Sequence, residues 1–391
     1  MEQDIDLETA IGTDLDLVLN GTLEAGGNGT QNGSLGRSIV CDLNMLVTAH
    51  GLFVLSLVLH MVLGALMVPA NALLLAILPR ATVLSPTTRW FLANTALAFA
   101  IIGGYCFLKA ATTLALSQHP CRLQVSKGLC LALETPFAAS STSCQILVFS
   151  MAVERLLTLK THSATWSGAG RGVAGQVVSV LVWSASVLLV LGMFHLTSAR
   201  HISLPYCNML LASNATATMA VSALLGLLEL LALLLYLIVW LQSRRFLKNF
   251  AFNQAQLTLQ SRFQLRRNIE VTEILLPIVI VSVAFNGVYL ACLLGVRASI
   301  ISYVDAIIGS QYFNYAFVQA LGTIFPLQVI WRCESLRNKV RRHLARAKSA
   351  RSASQSQDQV VDAEGQARMQ ALEDMWNKKF AKKVTPTRPL T

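Results

Sequence analysis

The sequence predicts an all-α membrane protein, a seven-transmembrane helix bundle with its N-terminus outside and an amphipathic helix after the seventh span. Three observations carry that expectation. Seven long apolar stretches run through the 391 residues. Lysine and arginine crowd the connections on one side of those stretches. Glycosylation acceptors and four cysteines collect on the other side.

The composition sets the solvent first. The chain is 54% hydrophobic and 13% charged, with net charge +11. Soluble domains carry about 25% charged residues, so this chain holds half the usual share. A helical span of the hydrocarbon core needs roughly 20 apolar residues. Backbone groups in lipid must be satisfied internally, which favours helices here because alternating β-type stretches are few.

The expected spans follow in order. The first, 52–78, carries Asn71, a polar residue suited to helix packing. The second, 91–114, holds Lys109 in its outer half. The third, 130–153, opens at Cys130 and closes on Glu154 and Arg155. The fourth covers 173–195. The fifth, 219–241, has Glu229 near its middle. The sixth, 272–296, contains Pro277, and the seventh, 305–330, contains Pro326.

Orientation follows from the basic residues near the spans. Of 31 Lys and Arg, 25 fall on the side of the second, fourth and sixth span starts and of the tail, and five on the other. The basic side is expected to be cytoplasmic. The positive charge is then explained by anionic inner-leaflet lipid and needs no nucleic-acid partner. Asn20, Asn28 and Asn32 before the first span, and Asn214 between the fourth and fifth, head N-x-Ser/Thr acceptors on the expected outer side. The first sixteen residues are acidic and have no basic leader-like region, so the first span is expected to serve as its own insertion signal.

Cysteines sort the same way. Cys41, Cys121, Cys130 and Cys207 lie on the oxidising side. Four cysteines allow three pairings. Cys130–Cys207 is favoured, tying the top of the third helix to the fourth-to-fifth connection. The pairing of Cys41 and Cys121 stays open. Three parts result: a glycosylated, mostly disordered N-terminal segment at 1–46, a bundle at 47–331, and a cytoplasmic tail at 332–391. Leu336, Val340 and Leu344 sit at helical spacing in the basic start of that tail.

Arg155 lies 25 residues after Cys130, about 37 Å of helix at 1.5 Å per residue. One helix therefore has a cysteine at one membrane face and an acid–arginine pair at the other. This arrangement resembles the third helix of seven-helix G-protein-coupled receptors. Met151-Ala-Val-Glu-Arg-Leu-Leu-Thr-Leu159 is similar to the third-helix ending of nematode serpentine chemoreceptors of the alpha and alpha-beta classes. The entry to the sixth span is similar as well, through Arg262, Phe263, Gln264, Asn268, Leu276 and Pro277. Cys121 and Cys130 around a short basic loop fit the same family. The resemblance covers roughly residues 41–345 at the level of pattern.

The resemblance implies a plasma-membrane chemosensory receptor that signals through a heterotrimeric G protein. Its ligand would be an extracellular small molecule or peptide bound in the outer half of the bundle. Glu154 would hold Arg155 at rest, and Arg262 and Arg266 would join them at the docking face. This chain departs from the broader receptor pattern at several points. Leu156 follows the pair where an aromatic is common. Phe99 ends Asn94-Thr-Ala-Leu-Ala-Phe99, where the second-helix motif usually ends in aspartate. The sixth span has no Trp-x-Pro turn, and Pro326 has no Asn before it or Tyr after it. The usual activation relay is therefore incomplete.

Ionisable residues inside spans are costly and default to functional candidates. Lys109, Glu134 and Glu229 qualify, with Lys109 and Glu134 placed to pair across the second and third helices. Tyr105 and Tyr312, with Phe137, Tyr289 and Phe313, are aromatic candidates for a cavity wall, although interfacial aromatics are more often belt residues. Histidines show no metal-binding spacing. No phosphate loop or catalytic set is legible, so neither a cofactor nor an enzymatic reaction is expected. The rival readings are a transporter or ligand-gated channel, and a non-signalling multipass protein. No internal repeat favours the transporter.

Overall fold

A computed structural model describes residues 41, 47–48, 50–80, 84–160, 168–195, 203–204, 207, 215–250, 259–297, 308–334, 336–341 and 370. The four glycosylation acceptors, most of the N-terminal segment and most of the tail lie outside the described residues. Contacts divide the chain into Met1–Cys333 and Glu334–Thr391. In the second unit, 336–341 are helical.

The first unit is a helical bundle. Among the described residues, six helices are long and apolar enough to cross a membrane. They are α1 (Gly51–Ile77), α2 (Pro86–Leu116), α3 (Lys127–Lys160), α4 (Gly168–His195), α5 (Ala215–Phe250) and α6 (Leu259–Arg297). The stretch expected as the seventh span is helical over 308–332 but has two geometries. A π-helical turn, Gln311–Ala316, precedes the regular helix α7, Phe317–Arg332. Helix α2 starts cleanly because Ser85 caps it: its Oγ accepts the Thr88 N–H at 3.1 Å, and Pro86 occupies the first turn.

Helix α3 runs through the middle, packing on α2, α4 and α5, while α7 closes against α1, α2 and α6. The outward faces are apolar. On α4, Leu181 is 62% and Leu188 is 68% exposed. Continuous apolar exposure on this scale suits lipid contact. Small residues bring α1 and α2 together, since a Cβ built on Gly64 would sit 2.7 Å from the Gly103 carbonyl oxygen.

The third-helix cysteine end carries a covalent and β-paired cover. Cys130 and Cys207 form a disulfide, and Cys41 pairs with Cys121. Two short strands pair antiparallel there, β1 (Val125–Ser126) with β2 (Ser203–Leu204). They join the connections before α3 and before α5, an element the sequence reading did not anticipate. Leu131, Leu204 and Val125 pack with the disulfide.

Candidate functional site

Polar groups in the bundle are few, and they gather at three depths along α3. Nearest the disulfides, Lys109 of α2 pairs with Glu134 of α3. The Tyr315 hydroxyl completes the cluster, donating to Glu134 Oε2 at 2.9 Å and accepting from Lys109 Nζ at 3.3 Å. Glu134 is fully buried. Tyr315 belongs to the π turn, a geometry that occurs often at functional positions. The Tyr315 ring stacks on Phe137 at 4.5 Å, and Phe137 lies 6.0 Å from Tyr105. Tyr312 donates to the Leu52 carbonyl at 2.8 Å. Below this cluster, His60 and Gln319 clamp α1 to α7: the ring Nδ1 and the amide Oε1 are 2.8 Å apart. Asn71 repeats the clamp one level down, donating to the Gly322 carbonyl at 2.9 Å.

At mid-depth a cavity of about 150 Å³ opens between α3, α5, α6 and α7, with α2 and α4 adding walls. Glu229 reaches it from α5. Ser282 donates to its Oε1 at 2.9 Å, Asn286 donates to its Oε2, and Gln145 of α3 approaches the same carboxylate. The other wall groups are largely apolar, among them Phe137, Leu275, Tyr289 and Phe317. Lys109, Glu134, Tyr105 and Tyr312 are not among the lining residues; the first three lie in the cluster nearer the disulfides, and Tyr312 packs against the start of α1. The Phe313 side chain lies outside the described residues. Phe99, standing where the related motif has aspartate, packs 5.5 Å from Phe325 and makes the cavity's boundary with α7 apolar.

At the far end of α3, Arg155 is 3% exposed. Its guanidinium meets Glu154 at 2.8 Å. Two further partners come from neighbouring helices. Arg155 Nη1 donates to Asn268 Oδ1 of α6 at 2.8 Å, and Nη2 donates to Thr88 Oγ1 at the start of α2. Asn268 returns a donor to the Arg155 carbonyl at 3.4 Å, and Ser85 donates to Glu154 at 3.4 Å. One arginine thus spans three helices. A further contact at this end joins α5 to α6, Arg244 to Glu273 at 3.1 Å. Arg262 and Arg266 fall in the first turns of α6, and their side chains lie outside the described residues.

The sequence singled out the ionisable residues and missed their neutral partners. Thr88, Ser282, Asn286 and Tyr315 are common residue types whose neighbours lie far off in the chain. Ser282 and Asn286 did offer a signal, two polar residues one helical turn apart in an apolar span. Asn268 was visible as part of a motif, though not as the partner of Arg155.

Long apolar helices, tied by disulfides at one end and by a buried arginine at the other, describe a multipass helical membrane bundle. Residues 113–354 match the family of serpentine type 7TM GPCR receptor class ab chemoreceptors. The chain belongs to that family. A search of curated proteins gave no match.

Proposed function

We propose that this chain is a chemosensory receptor of the plasma membrane that binds its ligand within the bundle and signals through a heterotrimeric G protein. Helix 308–332 is then the seventh span, with the N-terminus outside and the tail in the cytoplasm. The charge asymmetry of the sequence supports this orientation, as does the siting of both disulfides at one end of the bundle.

The observation that carries the reading is Arg155. A guanidinium is expensive to bury, yet here it is buried and divided between Glu154, Thr88 and Asn268. Such an arrangement holds α2, α3 and α6 together at the inner face. Outward movement of α6 would take Asn268 away and free Arg155 for a partner. A ligand in the mid-bundle cavity drives that change only by binding the two packings unequally. The cavity touches α3, α5 and α6, the helices that would move. The basic residues of the α5–α6 connection, with Arg262 and Arg266, would complete the docking face.

The test is Arg155→Ala. G-protein activation is expected to fall to background while surface expression persists. Undiminished signalling at equal surface expression would remove Arg155 from the mechanism.

A further inference from the structure

Glu229 is an acid in an apolar place, 4% exposed at the wall of the mid-bundle cavity. Its described hydrogen-bond partners, Ser282, Asn286 and Gln145, are neutral donors. Among the described residues lining the cavity there is no lysine, arginine or histidine. A carboxylate without a cation in low-dielectric surroundings is costly. Its two oxygens offer about four lone-pair sites, and the three neutral donors leave room for one more. The second observation is Gln145. It lines the same cavity and approaches Glu229, but its Oε1 is a buried acceptor with no hydrogen-bond partner. An acid that lacks a cation and an amide acceptor that lacks a donor therefore meet at one place on the cavity wall.

We propose that this point receives the protonated amine of a small ligand, with Glu229 as its counter-ion and Gln145 as a second acceptor. The inference rests on the cavity being the ligand site. An ammonium supplies a positive charge and up to three N–H donors, which answers both groups at once. An alcohol supplies one donor and no charge, and an anionic ligand meets repulsion from Glu229. The remaining walls set the other end of the molecule. Phe137, Tyr289, Phe317 and Leu275 favour a ring or a branched hydrocarbon. A cavity of this volume admits a body of roughly benzene size, so the ligand class is a compact monoamine with about six to ten heavy atoms.

The test uses the full chain in lipid nanodiscs and follows thermal unfolding as matched pairs are titrated: cyclohexylmethylamine with cyclohexylmethanol, and isoamylamine with isoamyl alcohol. The amines are expected to raise Tm, with apparent affinities at least tenfold above those of their alcohols. Glu229→Gln is expected to cost the amines at least tenfold and to erase their advantage. Gln145→Leu, which leaves the charge in place, is expected to weaken amines several-fold and alcohols less. Should Glu229→Gln fail to fold, Gln145→Leu and the amine-to-alcohol ratio decide alone. Ser141→Phe fills the cavity and is expected to abolish stabilisation by every compound. Stabilisation that survives Ser141→Phe would show that the cavity is not the ligand site. Loss in Ser141→Phe, with alcohols equal to amines or with amine affinity unchanged in Glu229→Gln, would keep the cavity and overturn the amine. No stabilisation of the wild-type chain by either amine would also overturn it.

Discussion

Lysine 109 and Glu134 offer the sharpest structural perturbation. Their side chains are 12% and 0% exposed, and they join α2 to α3 directly under the Cys130–Cys207 disulfide. Lys109→Met keeps the length of the side chain and removes the charge. Glu134 is then left with the Tyr315 hydroxyl at 2.9 Å as its described polar partner. Removing one member of a buried pair costs about 3–5 kcal/mol, because the other is stranded. Glu134 can lower that cost by taking up a proton, which places the expectation near the bottom of the range, about 3 kcal/mol. At about 2–4 °C per kcal/mol for a chain of this order of size, the melting temperature should fall by roughly 10 °C. The double variant Lys109→Met with Glu134→Leu strands nothing and should recover most of that loss. The assay is thermal unfolding in nanodiscs without ligand. Two results would refute the reasoning: a single variant within a degree of wild type, or a double variant as unstable as the sum of the singles.

Four other outcomes follow from the same contacts. Tyr315→Phe deletes two hydrogen bonds to charged groups, Glu134 and Lys109; at about 1.5–3 kcal/mol for one such bond, it should cost at least that in the same unfolding assay. Gly64→Val sets a branched side chain against the Gly103 carbonyl; overpacking of this kind typically costs about 1–3 kcal/mol, read as reduced expression and a lower Tm. Cys130→Ser opens a link between residues 77 apart in sequence, worth about 4.5 kcal/mol by loop-closure entropy, and should leave most of the receptor retained inside the cell. Intact cells treated with a glycosidase should lose glycan mass from Asn20, Asn28, Asn32 or Asn214; glycans seen only after permeabilisation would reverse the proposed orientation.

What could be read in the chain, and what could not, divides along physical lines. The six long helices cover the hydropathic stretches to within a residue, because lipid leaves a buried backbone no alternative to helical bonding, and α3, α5 and α6 run on beyond them, to Lys160, to Phe250 and back to Leu259. The Cys130–Cys207 pairing was favoured as a tie between the top of the third helix and the fourth-to-fifth connection, and that disulfide forms. The Lys109–Glu134 contact was legible because opposite charges at similar depth in lipid seek each other. The π turn was not legible. It adds no distinctive residue to Gln311–Ala316, yet it contains Tyr315, which meets Glu134. Likewise, Asn268 is 113 positions from Arg155, and only the packing of α6 on the C-terminal end of α3 brings them together. The sequence placed the ligand residues in the outer half of the bundle, around Lys109 and Glu134. The cavity lies deeper, and of the eight candidates Glu229, Phe137 and Tyr289 line it. Depth along a helix can be counted from sequence, but an empty volume depends on every side chain around it.

The central claim is that Arg155, held by Asn268 of α6, is the element that couples this bundle to a G protein. The most direct test is ligand-independent nucleotide exchange on a purified heterotrimeric G protein, comparing wild-type receptor with Asn268→Ala and Arg155→Ala at equal amounts in nanodiscs. Asn268→Ala removes a hydrogen bond to a charged group, about 1.5–3 kcal/mol, and should favour the open packing by roughly tenfold to a hundredfold. Exchange should therefore rise above wild type in Asn268→Ala and vanish in Arg155→Ala. Exchange that persists in Arg155→Ala, with Asn268→Ala no more active than wild type, would contradict the claim.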